Sequence, residues 1–497
     1  MTEVDTDVCI LGSGFGGSLL SLILNRMGLK CVAIDRAAHP RFAIGESSTP
    51  IANRVLRDLC QRYDLPNLEP LSAYGPAAEA YPEVSMGRKR GFSYFKHTPG
   101  VEFAAHADHR AELLVTASRD DYLADTHWYR QDVDALFARE VAKCECLFEN
   151  TSIQQIDRQD GWRVQATRDD ERIIFRSRFI VDATGESGVL LRSLGVSQNG
   201  ANTQEWMTNS RAIFGHFRDM QRWPVLLESR GAALGDHPFQ CDEAAVHHVL
   251  DEGWMWQLRF RNGITSAGIV LDAQQCPPDD DVTAEEEWDE LVRRYPSIEQ
   301  QFANARLVAP VDGLQRTGRL QRLATRSHGL DWVALPHTVG FIDPLHSSGI
   351  ALTMCAVERL VSAFEHLGDV EFERHLDGYS AALRSEFRLI DMLVHGCYAT
   401  RHRFDVFTTF TMVYFAAATT YEHRRHAGET VDAMLCADDM QLCEAVRDAY
   451  DWVTNLDSTT TVDELQSKIA DCIAPFNRVG LCDPSVHNMY RYTAAPG

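Results

Sequence analysis

A glycine-rich turn near the start of the chain constrains the fold more than any other sequence feature. Residues 6–36 are predicted to form an apolar strand, a turn with Gly12, Gly14 and Gly17, an apolar helix, and a second strand that ends at Asp35. The glycines match G-x-G-x-x-G, in which the first allows a tight turn, the second lets a pyrophosphate approach the backbone, and the third lets the helix pack on the strand. Asp35 stands 23 residues after Gly12, where an acid would hold a ribose hydroxyl. The segment therefore predicts a Rossmann-like dinucleotide site.

Three later segments indicate which dinucleotide binds. They are HPRFAIGESSTP at 39–50, VDATG at 181–185 and GFIDPLHSSGI at 340–350. In order, they resemble the flavin-contacting segments of the flavin-dependent halogenases, of tryptophan and phenol halogenase type, and of their monooxygenase relatives. With the glycine turn, the resemblance extends from residue 6 to about residue 360. It implies the para-hydroxybenzoate hydroxylase fold and bound FAD.

The predicted elements and this resemblance together imply an α/β fold of three regions. The first is a discontinuous Rossmann-like FAD-binding domain of the GR2 type. The second is a mostly antiparallel β-sheet domain on the substrate side, indicated by alternating stretches such as 253–271. The third is a helical C-terminal region that covers the substrate pocket. The predicted bounds are 1–84, 120–200 and 310–368 for the FAD domain, 85–119 and 201–309 for the sheet domain, and 369–497 for the helical region.

Composition excludes several classes of partner. A net charge of −23 disfavours nucleic acid and anionic membrane surfaces, which both require clustered Lys and Arg. The uncharged run 406–421 contains five threonines and is too short and polar to span a bilayer. The 13 cysteines contain no C-x-x-C pair, and the first strand starts almost at Met1, so no signal peptide is predicted. We therefore expect reduced thiols and a cytoplasmic location.

The resemblance also implies further contacts with FAD. Arg130, at the start of a predicted amphipathic helix at 129–143, resembles an arginine that contacts FAD in this fold. Glu46, Ser47 and Ser48 resemble the loop that lines the isoalloxazine ring. The residues expected to bind the cofactor are Gly12, Gly14, Phe15, Gly17, Asp35, Arg36, Glu46, Ser47, Ser48, Arg130, Asp343 and Ile350.

Two tryptophans resemble a family signature. Residues 253–258, GWMWQL, are similar to the GWxWxIP motif of flavin-dependent halogenases, with Leu258 and Arg259 in place of the closing Ile-Pro. In the family, the tryptophan pair is thought to keep the organic substrate away from the flavin. The resemblance assigns that role to Trp254 and Trp256. The ordinary alternative is a strand whose two tryptophans point to one face of a sheet.

The family also depends on a lysine that hydrogen-bonds to hypohalous acid, or is chlorinated by it, in a dry tunnel. In the family this lysine lies on a strand early in the second sheet and is followed by glycine and an aromatic residue. Residues 87–94, GRKRGFSY, fit that pattern, so Lys89 is the candidate and Lys96 is its rival. On one alternating strand, the two lysines would point to opposite faces. The ordinary alternative is a solvated lysine.

The segment at 343–350 is predicted to end at a helix N-terminus, where free N–H groups bind anions. By resemblance, Ser348 and Gly349 would bind halide and Ile350 would contact flavin. Such N–H groups could equally stabilise a reduced flavin in any relative of this fold. His346 stands where tryptophan halogenases have a catalytic glutamate, which argues against free tryptophan as the substrate. It would act as an acid or base, or be a packed polar residue.

The remaining candidates have ordinary interpretations. The histidines show no zinc-type spacing, so no metal site is expected. The aromatic-rich segment 404–415 predicts a helix that packs into the core or forms a hydrophobic wall of the substrate pocket. A cluster of arginines would dock an anionic group or a carrier protein, or be solvated; it comprises Arg316, Arg319, Arg322 and Arg326.

Three functions are compatible with these patterns. The first is an FADH2-dependent halogenase that uses O2 and chloride or bromide on an electron-rich aromatic, namely a phenol, pyrrole, indole or resorcinol of secondary metabolism. A separate flavin reductase would supply FADH2; the lack of a second G-x-G-x-x-G permits this but does not exclude direct use of NADPH. The second is an FAD monooxygenase of the same fold that uses NAD(P)H, and the third is a flavin-binding protein without catalysis. Carrier-bound substrate and a homodimer are left open.

Overall fold

The structure, a computed structural model, describes residues 2–198, 206–456 and 460–494. Its strands, numbered in chain order, are β1 (Thr2–Leu11), β2 (Cys31–Ile34), β3 (Met86–Lys89), β4 (Gly91–Lys96), β5 (Glu112–Thr116), β6 (Asp125–Trp128), β7 (Leu147–Phe148), β8 (Thr151–Arg158), β9 (Trp162–Arg168), β10 (Glu171–Asp182), β11 (Ser210–Arg218), β12 (Ala245–Val249), β13 (Gly253–Arg259), β14 (Ile264–Asp272), β15 (Arg306–Ala309), β16 (Gln315–Arg316), β17 (Arg322–Leu323), β18 (His328–Gly329), β19 (Trp332–Ala334), β20 (Gly340–Phe341) and β21 (Met489–Tyr490).

The helices lie between and after these strands. They are α1 (Phe15–Arg26), α2 (Pro50–Arg62), α3 (Tyr74–Ala80), α4 (Arg130–Ala142), α5 (Val189–Ser193), α6 (Trp223–Ser229), α7 (Ala284–Arg293), α8 (Pro296–Phe302), α9 (Pro336–Val339), α10 (Ser348–Phe364), α11 (Val370–Thr400), α12 (Phe404–His426), α13 (Met440–Thr454) and α14 (Val462–Ile473).

The first sheet has the order β18-β19-β10-β1-β2-β7, and the β8–β9 hairpin extends it from β10. Strands β19, β10, β1, β2 and β7 are mutually parallel. The last four residues of β1, Val8 to Leu11, are fully buried, because parallel strands are covered on both faces. Helix α1 packs beside α4 and α10. The predicted Rossmann-like unit is confirmed.

The second sheet has the order β15-β11-β14-β13-β12-β4-β5-β21. Its pairings are antiparallel except those of β12 with β4 and of β21 with β5. The alternating segment predicted as strands forms the β13–β14 hairpin, which places both tryptophans of the signature near the centre of the sheet. The predicted mostly antiparallel sheet is thus confirmed.

Lys89 and Lys96 lie on two different strands, contrary to the single alternating strand that the sequence suggested. Strand β3 ends at Lys89 and pairs with β6 in a separate two-stranded sheet. The strand ends before Arg90, and the next strand, β4, belongs to the second sheet. The physical reason is that Arg90 N–H donates to the carbonyl of Glu243 and leaves both ladders.

The C-terminal region is helical, as predicted, but it also returns a strand to the second sheet. Helix α12 is buried from Val406 to Tyr421, so the aromatic segment lies in the core. After α14, strand β21 pairs in parallel with β5. Among the described residues, no helix is both long and apolar enough to cross a membrane.

The predicted domain bounds remain a proposal. Strand β16, at the start of the predicted 310–368 segment, pairs with β11 of the second sheet, and β6, inside the predicted 120–200 segment, pairs with β3. The predicted boundary at residues 200–201 lies outside the described residues. One continuous hydrophobic core contains residues from both sheets and from the helical region.

Candidate functional site

A cavity of about 910 Å³ opens between the carboxyl ends of the first sheet, the second sheet and the start of α10. Most of the predicted site residues contribute to its wall: Gly12, Gly14, Phe15, Gly17, Asp35, Arg36, Glu46, Ser47, Arg130, Trp254, Trp256, Asp343, Ser348, Gly349 and Ile350. Four predicted residues lie outside this wall, namely Ser48, Lys89, Lys96 and His346.

The glycine turn fits a pyrophosphate group. Gly12 has a φ of +99°, and a Cβ there would lie 2.5 Å from the carbonyl oxygen of Ala183. A Cβ on Gly17 would lie 2.2 Å from the Gly12 carbonyl oxygen, so both positions exclude a side chain. A Cβ on Gly14 would meet only side-chain ends, the nearest at 3.8 Å, and this glycine faces the cavity. The backbone and the N-terminus of α1 are therefore open to a phosphate group.

Asp35 is held at the end of β2 by several donors. Its Oδ2 accepts from Ser13 N–H, from Ser13 Oγ and from Arg41 Nη2, each at 3.0 Å, and its Oδ1 accepts from Ala37 N–H at 3.1 Å. Burial raises the pKa of Asp35, but the Arg41 guanidinium and these donors outweigh burial, so the net pKa is below its usual range. The residue is thus an oriented carboxylate at the cavity wall, as a ribose contact requires.

Arg130 braces the loop that precedes Glu46. Its guanidinium forms a two-pronged pair with Asp134, at 2.8 Å on both oxygens, and donates to the carbonyls of Ile44 and Gly45 at 2.8 and 3.1 Å. It also lies over the Phe15 ring, 4.6 Å from the centroid. The residue therefore positions the loop of the cavity wall in addition to lining the cavity itself.

The residues of the loop 46–48 do not all face the large cavity. Glu46 and Ser47 line the cavity, and Glu46 Oε1 lies 2.9 Å from Nε2 of the buried His216. Ser48 turns the other way, because its N–H donates to Thr126 O at 2.9 Å and its Oγ accepts from Thr126 N–H at 3.0 Å. The predicted cofactor contact at Ser48 is therefore not part of the wall.

Lys89 lies directly behind this loop. Its side chain is fully buried, and Nζ donates to Ser48 O at 2.6 Å and lies 4.1 Å from the centroid of the Phe92 ring. Asp125 faces it across the β3–β6 ladder and accepts from Asn53 Nδ2 at 2.7 Å. Burial lowers the pKa of Lys89 to about 7, and the Asp125 carboxylate opposes this shift. Burial likewise raises the pKa of Asp125.

Lys96, the rival candidate, lies away from the cavity. It ends β4 and pairs with Asp251 at 2.8 Å, with part of its side chain exposed. Lys96 thus pairs with a carboxylate that is not part of the cavity wall.

Trp254 and Trp256 face the cavity from β13, with ring centroids 6.2 Å apart. Trp256 lies flat on Gly268 across the ladder, where a Cβ would be 2.1 Å from the ring, and its Nε1 donates to Ser266 Oγ at 3.1 Å. Trp254 Nε1 donates to the hydroxyl of Tyr398 on α11 at 3.2 Å. Each indole is thus fixed by one hydrogen bond.

The start of α10 forms another part of the wall. Ser347, in the left-handed region with a φ of 54°, precedes Ser348, and the first N–H groups of the helix have no acceptors within it. His337 packs against Gly349, and burial and the nearby Arg322 guanidinium lower its pKa to about 4, so the ring is neutral. These N–H groups can therefore bind an anion at the cavity.

His346 is buried outside the cavity wall. Its ring is stacked on Tyr414, 4.1 Å between centroids, and the Tyr414 hydroxyl donates to its carbonyl at 3.0 Å. Burial lowers its pKa to about 3, so the imidazole is neutral at ordinary pH. This position matches the packed polar residue that the sequence left as an alternative to an acid or base.

Several site residues had no sequence prediction of their own. His247 lines the cavity, where its ring is stacked on Tyr94 at 4.5 Å and tilted against Trp254 at 5.1 Å between centroids; in the sequence it was only one member of a scattered histidine group. Asp125 and Tyr398 contact predicted residues through hydrogen bonds or strand pairing that no local motif signals.

A second cavity, of about 20 Å³, lies near Lys89, whose ammonium contacts one ring of its wall. Its wall contains aromatic, small and polar side chains: Thr49, Pro50, Ile51, Phe92, Ala117, Tyr414, Phe415, Ala418, Thr419, Glu422, Thr493 and Ala494. Phe92 contributes one ring to this wall and to the contact with the Lys89 ammonium.

Known proteins are similar to this chain in sequence and in fold. The profile of the tryptophan halogenase family matches residues 127–411, more than half of the chain. Monodechloroaminopyrrolnitrin halogenase PrnC of Pseudomonas fluorescens is 28% identical over 81% of this chain and 70% of its own. Tetracycline 7-halogenase of Kitasatospora aureofaciens is 30% identical over 70% of this chain and 61% of its own. The structure of halogenase PltM in complex with phloroglucinol and FAD superposes with a TM-score of 0.83, at 22% identity over 99% of this chain and 100% of PltM.

The family match and the fold agree with the geometry of the glycine turn and of Asp35, which suits the pyrophosphate and ribose of FAD. The chain therefore belongs to the tryptophan halogenase family, whose members are FAD-dependent oxidoreductases.

Proposed function

We propose that the protein uses reduced FAD, O2 and chloride or bromide to halogenate an electron-rich aromatic ring of phenol, pyrrole, indole or resorcinol type. When bound, reduced FAD and O2 supply the two-electron oxidising equivalent that converts halide to hypohalous acid. The residues proposed to hold FAD are those of the glycine turn, Asp35, Arg36, Arg130, Glu46, Ser47, Asp343 and Ile350. Halide is proposed to bind the N–H groups of Ser348 and Gly349.

One observation carries the proposal: the buried Lys89 contacts Ser48 and Phe92, two residues that adjoin or line the cavity walls. Residues 46–47 line the large cavity, and residues 49–51 line the small one. Ser48, between them in the sequence, accepts the hydrogen bond of the Lys89 ammonium, and Phe92, which lines the small cavity, contacts that ammonium. We therefore propose that Lys89 receives an oxidant formed in the large cavity and passes it to a ring in the small one.

The proposed transfer has two steps. The neutral amine of Lys89 attacks the halogen of hypohalous acid, so that an N–X bond forms, the O–X bond breaks, and the amine proton leaves with hydroxide as water. The aromatic ring then takes the halogen from nitrogen, and its displaced proton restores the amine. Complete burial protects the N–X bond from water and keeps a substantial fraction of Lys89 neutral near pH 7.

The composition of the small cavity suits a flat, electron-rich ring. Three aromatic side chains, Phe92, Tyr414 and Phe415, meet two small ones, Ala117 and Ala418. At about 20 Å³, the cavity is closed around less volume than one ring occupies. Admission of substrate therefore requires displacement of the C-terminal residues or of side chains in its wall.

Product mass spectrometry tests this function. The purified protein, FAD, a flavin reductase and NADH are incubated with a panel of phenols, pyrroles, indoles and resorcinols, with and without bromide. We expect a product with the bromine isotope pair that is lost in Lys89→Ala and retained in the matched control Lys96→Ala.

Two results would contradict the proposal. Equal bromination by Lys89→Ala would remove the lysine from the mechanism. Addition of one oxygen atom without halide, with NADPH consumed in the absence of the reductase, would indicate the monooxygenase alternative.

A further inference from the structure

Three side chains that are distant in sequence meet outside both cavities. His109 and Glu112 stand before and at the start of β5, and His237 lies between α6 and β12. One nitrogen or oxygen atom from each lies within 4.8 Å of the others. None of the three contributes to the walls of the two cavities described above. The cluster is therefore independent of the proposed reaction.

The spacing and burial of these atoms fit a metal ion. His237 Nε2 lies 3.3 Å from Glu112 Oε2, close to the separation of about 3.4 Å between ligands of a tetrahedral ion with bonds of about 2.1 Å. Glu112 is 1% exposed, and its Oε2 makes no well-formed hydrogen bond among the described residues. A buried carboxylate oxygen in that state needs a cation or a donor.

The hydrogen bond between His109 and Asp236 also fits a metal site. Its Nδ1 lies 2.7 Å from Glu112 Oε1, on the inner side of the cluster, and its Nε2 lies 2.8 Å from Asp236 Oδ2, on the outer side. Metal-bound histidines usually donate their second ring N–H to a carboxylate, which fixes the ring and makes it a better ligand. Asp236 has that position.

The charge of the cluster points the same way. Both ring nitrogens of His109 face carboxylates, Glu112 at Nδ1 and Asp236 at Nε2. A divalent cation in place of the Nδ1 proton would balance the two carboxylates. Neutral imidazole nitrogen and carboxylate oxygen are ligands that Zn²⁺ prefers.

We propose that His109, Glu112 and His237 bind one Zn²⁺ ion. The ion would join the 230s segment to the start of β5. That strand pairs with β21, and Asn488, just before β21, donates from Nδ2 to the His109 carbonyl at 3.2 Å. The ion would therefore also stabilise the C-terminal strand, whose following residues close the small cavity.

Zinc binding by the full-length, tag-free protein tests this inference. The protein is dialysed against EDTA, and its Zn²⁺ affinity is then measured by calorimetry, with Tm followed in parallel. We expect one Zn²⁺ per chain and a rise in Tm on addition of Zn²⁺. Glu112→Gln and His237→Ala should lose both effects, whereas the control His106→Ala, a neighbouring histidine outside the cluster, should keep them.

Two outcomes would overturn the inference. The first is the absence of stoichiometric Zn²⁺ binding by the wild-type protein, which does not depend on whether any variant folds. The second is unchanged Zn²⁺ affinity in a Glu112→Gln or His237→Ala protein that retains its secondary structure.

Discussion

The hydroxyl of Tyr398 joins Trp254 to Asp343. It accepts a hydrogen bond from Trp254 Nε1 at 3.2 Å and donates one to Asp343 Oδ2 at 3.1 Å, and Ser210 Oγ donates to the same oxygen at 2.7 Å. Burial raises the pKa of Asp343 to about 6, and these donors oppose that shift. A helix of the C-terminal region thus fixes both a tryptophan of the family signature and the first residue of the loop that leads to α10.

Tyr398→Phe should therefore loosen the Trp254 ring without enlarging the cavity. The buried indole N–H loses its acceptor, which costs about 1–3 kcal/mol of folding free energy. If Trp254 separates substrate from flavin, we expect a lower ratio of halogenated product to NADH consumed. The measurements are thermal unfolding and product yield per NADH.

The matched control for that variant is Tyr421→Phe, which removes a buried hydroxyl whose hydrogen-bond partner among the described residues is the Cys355 thiol at 3.4 Å. Both variants remove a buried hydroxyl from a helix, but of the two only Tyr398 hydrogen-bonds to residues of the cavity wall, Trp254 and Asp343. An equal loss of yield in both would attribute the effect to general destabilisation.

The Lys89–Asp125 pair predicts the pH dependence of the reaction. Burial lowers the pKa of Lys89 to about 7, and the Asp125 carboxylate opposes this shift. Halogen transfer through the neutral amine should therefore speed up as pH rises through about 7. Asp125→Asn removes the opposing charge, so the pKa should fall further and the acid limb of the kcat profile should move to lower pH.

Asp251→Asn is the control for this variant, since Asp251 pairs with Lys96 instead. Its profile should match that of the wild type. A rate that falls as pH rises through about 7 would show that Lys89 acts as the ammonium, by hydrogen bonding to hypohalous acid. An acid limb that does not move in Asp125→Asn would separate Lys89 from the titration.

Local patterns in the sequence were enough to predict several residues that line the large cavity. The glycine turn, Asp35 and the start of α10 each depend on short-range backbone geometry, such as the φ of +99° at Gly12, so their residue types are diagnostic. The alternation of β13 similarly predicted that Trp254 and Trp256 share a face.

The relationships around the lysine depend on tertiary contacts and were not predictable in this way. The break between β3 and β4 arises because Arg90 bonds to Glu243, more than 150 residues away. The partner of Trp254 is 144 residues along the chain, on a helix whose periodicity gives no sign of it. Hydrophobic periodicity also cannot show that Ser48 turns towards Lys89 while its neighbours face the cavity.

Substitution of Gly17 should reduce both stability and FAD binding, whereas substitution of Gly14 should reduce FAD binding alone. Gly17→Ala places a Cβ 2.2 Å from a backbone oxygen, so we expect loss of both stability and FAD binding. Gly14→Ala meets only flexible side-chain ends at 3.8 Å or more, so the fold should persist while FAD affinity falls. Flavin fluorescence titration and thermal unfolding measure the two quantities.

The control is Gly378→Ala, on an exposed face of α11 where a Cβ meets nothing within 4 Å. It should keep wild-type FAD affinity and gain up to about 1 kcal/mol from helix propensity. Unchanged FAD affinity in Gly14→Ala would argue that the pyrophosphate does not approach this backbone.

The small cavity can be tested by filling it. Ala418 on α12 lines the small cavity together with Phe92, so Ala418→Phe or the milder Ala418→Leu should occupy the space proposed for the substrate ring. We expect kcat/KM for the aromatic substrate to fall by roughly tenfold or more, with FAD affinity unchanged, while overpacking costs about 1–3 kcal/mol of stability. Ala474→Phe, which adds the same ring at an exposed helix end, should leave kcat/KM at the wild-type value. Wild-type kcat/KM in a folded Ala418→Phe protein would mean that the substrate reaches Lys89 by another route.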